Sequence, residues 1–333
     1  VVAAVRATER LILGDHLPHL LLDIEQDMAL MRANGQQAMA DCCVAGAVAP
    51  IKCLMGLSPR HDSYDDAGFS EAGFLAQYGD SKLYRAYFLQ GKIRNAYLFD
   101  SADGEALAAQ LGSVTGIMRG QAKVVESSFY AALIWLRALR RDPARPDAAG
   151  LLALIEPLLH SLATWARQGS DTSIARHLLA QAEMARYRNE LQLATRGYQQ
   201  AIAAAGLAGQ VNLQALGNEL CGECWLEQEQ PRVAAVFMLD AIAHYGQWGA
   251  EGKLAQLRAR HAAPLSRAQA RHAQGQAHGG ASVHAGSALD MVSLLKAATI
   301  LSNEVGLRNV LTRLIAIVCE NAGAQVARLL LLS

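Results

Sequence analysis

Aromatic residues are scarce in this chain of 333 residues, at 6%, although hydrophobic residues make up 52% of it. Alanine and leucine supply most of the apolar content, and both favour helices over strands. Neither sign of charge is in excess, with 30 basic and 30 acidic residues, so no net charge draws the chain to nucleic acid or an anionic membrane. No apolar run reaches the ~18 residues of a membrane span. The composition therefore predicts an ordered, helical protein with no nucleic-acid and no membrane partner.

An initiating methionine and a signal-peptide pattern are both missing from the start of the chain, which reads Val1-Val2-Ala3-Ala4-Val5-Arg6. We interpret the chain as a piece of a longer protein. Its six cysteines do not indicate disulfides, because no secretory signal accompanies them. We expect a reducing, cytoplasmic location.

The motifs of common enzyme families are also missing. The sequence contains no phosphate-binding P-loop, no G-x-G-x-x-G, no G-x-S-x-G and no H-E-x-x-H. The paired carboxylates Asp65 and Asp66 lie in a loop rich in Tyr, Ser and Gly, which favours turn formation or helix capping over acid-base catalysis. We therefore expect no catalytic residue, no cofactor-binding residue and no metal ligand in this chain.

Two clusters leave other chemistry open. Cys221 and Cys224 form a single C-x-x-C inside a predicted helix, where packing is the favoured interpretation and a redox or zinc centre is the alternative. Four histidines follow at spacings of eleven, six and six, which match no compact metal motif, although weak copper or nickel capture is conceivable: His261, His272, His278 and His284. The basic residues around them lack the interleaved aromatics that stack on bases.

A repeat is visible in the second half of the chain. Apolar residues recur at steps of three or four over Leu191–Ala205 and again over Val233–Tyr245. The small-large-small pattern Ala194, Tyr198, Ala201 returns 40 residues later as Ala234, Met238, Ala241. This is the packing pattern of a tetratricopeptide-type hairpin, in which alanines let two helices approach closely.

Three earlier helix pairs complete the predicted architecture. They cover Leu17–Ala33 with Gln36–Leu57, Leu83–Phe99 with Glu105–Met118, and Val124–Arg141 with Leu151–Gln168. The fold class we predict is all-α: a tetratricopeptide-like superhelix of helical hairpins, followed by a linker and a truncated α/β GAF start. The predicted boundaries are 1–263 for the repeat array, 264–286 for the linker, 287–306 for a signalling helix and 307–333 for the start of a GAF domain.

The C-terminal part also resembles a known family. Leu289–Ala298 with Leu301-Ser302 resembles a signalling helix, and Val310–Gln325 looks like the opening of a GAF domain. Three upstream segments are similar to the repeats that precede this domain in large bacterial multidomain signalling kinases: Ala182–Arg186, Asn218–Leu220 and Trp248–Ala250. Members of that family combine a serine/threonine-kinase-like domain, an AAA-type ATPase, helical repeats, GAF and a histidine kinase. The resemblance implies a parent protein that is a histidine or serine/threonine kinase.

The resemblance and the repeats together predict a regulatory scaffold. We expect a protein or small ligand on the concave face of the array, with Asn218, Glu219 and Trp225 as its candidate interaction residues. Further expected contacts are intramolecular, with the ATPase and kinase domains, and a dimer through 287–333. The alternative hypothesis is the repeat region of an ATPase-type transcriptional regulator.

Overall fold

The computed structural model describes residues 2–118, 120–169 and 171–262, and most of these are helical. Among them the only pairing of extended backbone is an isolated bridge between Asp66 and Phe69. The prediction of an all-α chain is therefore confirmed for this part of the protein. The α-helices are α1 (Val2–Leu13), α2 (Leu17–Ala33), α3 (Gln37–Cys43), α4 (Ala49–Met55), α5 (Glu71–Tyr78), α6 (Lys82–Phe99), α7 (Gly104–Ala109), α8 (Ala122–Arg141), α9 (Ala148–Arg167), α10 (Asp171–Tyr187), α11 (Leu191–Leu207), α12 (Val211–Glu227), α13 (Pro231–Trp248) and α14 (Glu251–Arg260).

Four predicted features lie outside the described residues. They are the linker at 264–286, the signalling helix at 287–306, the GAF start at 307–333 and the linker histidines beyond His261. The predicted dimer surface within 287–333 lies outside them as well.

Helices α3 and α4 are joined by a π-helical turn, Val44–Val48, so that one helix with a wide turn replaces the regular helix predicted there. Pro50 supplies a reason, because it has no N–H to donate to the carbonyl of Gly46 and its ring would crowd that turn. A Cβ on Gly46 would lie 2.9 Å from Cδ1 of Tyr87. The aromatic ring on α6 therefore packs directly on the backbone of the wide turn.

The predicted helix Glu105–Met118 is wrong in its length. The α-helix α7 ends at Ala109, and two 3₁₀ turns follow at Leu111–Ser113 and Thr115–Met118. Two glycines and three weak helix formers lie within this stretch, and they cost enough to break a regular helix: Gly112, Ser113, Val114, Thr115 and Gly116. The polar loop predicted upstream, 58–73, does end in a short helix, α5.

The last two complete hairpins repeat each other at 40 residues in helix position as well as in sequence. Helix α12 begins and ends 40 residues after α10, and α13 begins 40 residues after α11. Left-handed backbone recurs at the same interval, at Asn189 and Glu229 between the helices of each hairpin. In both turns the next residue donates its N–H to the carbonyl five residues back, at 2.9 Å, which closes the helix in a Schellman-type cap.

The predicted register of the packed stripes agrees with the structure. Ala194, Tyr198 and Ala201 are completely buried, and so are their counterparts Ala234, Met238 and Ala241. Among the described residues, backbone contacts define two compact units, one of residues 2–218 with 241–260 and one of residues 219–240 with 261–262.

Within the first unit, late helices cap the carbonyl ends of early ones. Arg176 and Asn212 donate to the carbonyl of Ile12 at the end of α1, at 2.8 and 3.2 Å. Lys253 donates to Leu98 O at the end of α6, at 2.6 Å. Carbonyls at a helix end lack partners within the helix, so each donor compensates for a loss of hydration. The contacts join segments 155 to 200 residues apart.

Two helical stretches of the described residues are long and apolar enough to cross a membrane, contrary to the expectation that no apolar run would reach that length. They are Gln37–Met55 and Ala148–Arg167. In the most apolar 18 residues of each stretch, 67% of the residues are buried in the first and 17% in the second. The first stretch is a core helix of the first unit. Length and hydropathy alone do not separate a membrane span from such a helix.

Candidate functional site

Helix α6 holds polar side chains in the interior of the first unit. Gln90 and Arg94 meet the buried carboxylate of Glu126 on α8, with Gln90 Nε2 2.8 Å and Arg94 Nη1 3.5 Å from its oxygens. Asn95 Nδ2 donates to Pro50 O at 3.0 Å. Burying polar groups is costly unless they are paired, so these contacts hold α6 in one rotation about its axis. The opposite face of α6 is thereby fixed toward α5 and α7.

A cleft of about 380 Å³ opens on that face of α6. Its floor consists of Arg85, Phe88, Leu89 and Lys92. Phe88 and Leu89 follow Arg85 by three and four residues and precede Lys92 by four and three, so all four share one side of the helix. The walls come from α5 and from the segment around α7, and they comprise Glu71, Leu75, Gly79, Asp103, Leu107 and Gln110. The middle of the cleft is apolar and its ends are charged.

The wall that contains α7 runs antiparallel to α6 along the floor. Arg85 Nη2 lies 3.4 Å from Gln110 Oε1 at one end of the cleft. Asp103 lies at the other end, because it lines both this cleft and an adjoining narrow cavity that it shares with Lys92. Helix α7 therefore begins beside Lys92 and ends beside Arg85.

Lys92 is neutralised within the protein. Its Nζ lies 2.9 Å from Glu71 Oε1, donates to Asp62 O at 2.8 Å and lies 4.8 Å from the centre of the Tyr64 ring. Burial raises the pKa of Tyr64 far above its usual value, so the phenol stays uncharged. This end of the cleft is a rigid polar cluster.

The loop before α5 is organised by its carboxylates, as predicted for Asp65 and Asp66. Asp65 Oδ1 accepts the N–H of Glu71, the first residue of α5, at 2.7 Å. Asp66 Oδ1 accepts Gly68 N at 2.7 Å, and its Oδ2 lies 2.9 Å from Lys52 Nζ. The ion pair with Lys52 and the accepted N–H groups lower the pKa of Asp66 against the opposing effect of burial. These contacts are structural and build the wall of the cleft.

The three residues predicted for an interaction face do not share one exposed surface. Asn218 and Glu219 are buried, and Asn218 donates to Gln214 O at 2.9 Å within its own helix. Trp225 is half-buried. Their role in binding stays a prediction, and burial means that a partner would reach Asn218 or Glu219 only after local movement.

The five described cysteines lie in the interior. Cys221 and Cys224 are buried within α12, away from a helix N-terminus. Burial raises the pKa of Cys43 to about 11 and also raises that of Cys42 and Cys53. A raised pKa disfavours the reactive thiolate. Within the described residues no group of three or more His, Cys, Asp or Glu side chains could hold a metal ion.

The cleft was missed by reasoning from sequence. Arg85, Phe88, Leu89 and Lys92 form a recognisable pattern on one side of a predicted helix, but α6 is buried almost all round from Ala86 to Phe99. A pattern of this kind cannot tell which side faces a cavity.

No family model matches the chain, and neither the curated proteins nor the solved structures include a match to it. The resemblance to signalling kinases therefore rests on the residues quoted for it.

Proposed function

We propose that the chain is a regulatory, tetratricopeptide-like scaffold of a cytoplasmic multidomain signalling kinase, preceding a GAF domain. The observation that supports this function best is the 40-residue repeat of the two hairpins in their helix starts, caps and buried stripe. Repeated helical hairpins are typical of repeat arrays that bind partners. A scaffold of this kind would pass a binding signal to an output domain.

The cleft on α6 is the best place in the described residues for the ligand of such a scaffold. The first helices of the late hairpins are less accessible, because Arg176 and Asn212 already bind the end of α1. The cleft has an apolar middle, a fixed polar end and a volume suited to a small ligand.

A ligand could act through the segment after α7. One wall of the cleft is a short α-helix continued by 3₁₀ turns, whereas the floor is fixed by buried polar contacts. Short helices are marginally stable by themselves. A ligand that binds one arrangement of this wall would shift its population and change the surface presented to neighbouring domains.

The test uses the parent protein with the cleft filled. We expect Leu107→Trp to change kinase output without unfolding the chain, because Leu107 lines the cleft from α7. The matched control is Leu193→Trp, which places the same bulk at an exposed position of α11. Equal output from wild type and both variants would contradict the proposal. The coding sequence after Ser333 tests the alternative, since a helix-turn-helix domain there would favour a transcriptional regulator.

A further inference from the structure

Among the residues that the structure describes, two charges at opposite ends of the cleft have no ion-pair partner. Glu71 and Lys92 pair with each other. Arg85 has a single long contact, 3.4 Å to the neutral amide of Gln110. Asp103 is exposed and precedes α7 without capping it through its side chain. The cleft therefore presents one cation at one end and one anion at the other.

The separation of these charges follows from helix geometry. Arg85 and Lys92 are seven residues apart, so the floor between the two ends is ~10 Å long. Asp103 and Gln110 have the same separation along the opposite wall. Three residues of extended polypeptide also span ~10 Å.

The middle of the cleft selects an apolar group. Phe88 and Leu89 form the floor there, and Leu75 and Leu107 face it from the two walls. Leu75 is 38% exposed, so a ligand that covered it would remove apolar surface from water.

We propose that the cleft binds an extended tripeptide with a free amino group, a free carboxylate and an apolar central side chain. The carboxylate pairs with Arg85 and accepts a hydrogen bond from Gln110 Nε2, and the ammonium group pairs with Asp103. This names the ligand class of the scaffold proposed above and depends on that proposal only for its regulatory consequence.

Ligands of other classes fit the charges less well. A fatty acid could pair with Arg85, but its tail would end against Lys92, Glu71 and Asp103, where burying a methyl group removes water from charged groups. A nucleotide carries several negative charges, and the cleft offers it one unpaired cation beside two carboxylates. A zwitterion satisfies both ends.

The experiment titrates the whole chain with Ala-Leu-Ala and measures binding by calorimetry and by ligand-detected NMR. We expect saturable one-to-one binding. Acetylating the amino terminus or amidating the carboxyl terminus should each weaken it at least tenfold, because each change removes one charge pair.

Two variants test which residue binds each end of the peptide. Arg85→Gln should weaken binding of the free acid at least tenfold and remove the difference between acid and amide. Asp103→Asn should weaken binding of the peptide with a free amino terminus at least tenfold. It should also remove the difference in affinity between that peptide and its acetylated form. Arg32→Gln and Asp142→Asn are exposed controls that should leave binding unchanged.

The outcomes are decisive in both directions. Absence of saturable binding at millimolar peptide, or equal binding of the free, acetylated and amidated peptides, would overturn the assignment of the ligand. Such a result would leave the effect of Leu107→Trp on kinase output untouched, so the two proposals fail separately. Circular dichroism of every variant confirms that it is folded.

Discussion

The two hairpins α10–α11 and α12–α13 share the length of their first helix and the capped left-handed turn between their helices, but they differ in their interiors. In the first, Glu183 is completely buried, lies 2.9 Å from Arg140 and 3.1 Å from Arg186, and accepts the hydroxyl of Tyr198. Forty residues later the equivalent of Glu183 is Glu223.

Glu223 is partly exposed and lies 3.9 Å from His261. Met238 takes the place of Tyr198, so the second hairpin has a thioether where the first has a buried hydroxyl. The repeat is thus defined by its caps and small residues, and it tolerates different interior chemistry.

The position of the glycine at the closest helix contact also differs between the two hairpins. A Cβ on Gly197 would lie 2.9 Å from Cβ of Ala182, whereas a Cβ on Gly222 would lie 2.9 Å from Cε of Met238. The glycine lies on the second helix of the first hairpin and on the first helix of the second hairpin. Both arrangements let the two helices of a hairpin approach closely, although the glycine lies on a different helix in each.

The largest difference between the hairpins should appear when the carboxylate is removed. Glu183→Ala should lower the free energy of unfolding by ~3–5 kcal/mol, because it takes the counter-charge from two buried arginines. The matched change Glu223→Ala should cost less, since the distance to His261 is 3.9 Å and the Glu223 side chain is 11% exposed. Urea denaturation measures both. Equal losses would mean that the two interiors are equivalent.

Protonation of Glu183 at low pH should also destabilise the protein, because it removes the same buried negative charge. Arg140, Arg186 and the Tyr198 hydroxyl together outweigh burial and lower the pKa of Glu183 from 4.5 to about 2. A lowered folded-state pKa stabilises the protein above pH 4.5, and this stability is lost as the pH falls toward 2. The loss should be ~3 kcal/mol, from 1.36 kcal/mol for each pKa unit.

The control for this titration is Glu183→Gln, which removes the ionisable group and keeps the shape. Denaturation of wild type and variant between pH 5 and 2 should show the difference between them shrinking. A constant difference would show that Glu183 titrates normally.

Added methyl groups should distinguish the two close contacts. Gly197→Ala should cost ~2 kcal/mol, because the Cβ and Cα of Ala182 cannot move aside within their helix. Gly222→Ala should cost less, since its nearest contact is the flexible end of Met238, although the new Cβ would also lie 3.2 Å from the carbonyl oxygen of Ala234.

The double variant Ala182→Gly, Gly197→Ala moves the glycine to the helix that carries it in the second hairpin. It should recover part of the loss, and the coupling energy follows from a double-mutant cycle. Strict additivity would contradict the proposed contact.

The smallest difference should arise in the left-handed turns. Glu229 has φ 55° and Asn189 has φ 61°. Glu229→Gly should raise the free energy of unfolding by ~0.5 kcal/mol, because a long side chain is strained in that conformation. Asn189→Gly should leave it nearly unchanged, since asparagine tolerates left-handed backbone. Thermal melts of the two variants and wild type provide the measurement, and an equal gain at both positions would refute this reasoning.

Much of the helical layout could be predicted from local pattern. Leu17–Ala33 was predicted with its observed bounds, and α6, α8, α9, α11 and α13 were predicted within a few residues. Where the prediction failed, residues that disfavour a regular α-helix were the cause. Glycines shortened α7, and Pro50 widened the helical turn at the start of α4. Helices α1 and α14 were not predicted as separate elements, and both are held by polar contacts to residues far away in the chain.

The sequence by itself determined the 40-residue repeat, because periodic apolar residues, turn-forming residues and small contact residues act within a single hairpin. Only the tertiary structure decided the cleft. The cleft lies on this side because Glu126 and Pro50, 36 and 45 residues from their partners on α6, bind polar groups on the rest of that helix. Hydrogen bonds across such distances depend on how helices pack, and no local pattern encodes which side of a buried helix is left open.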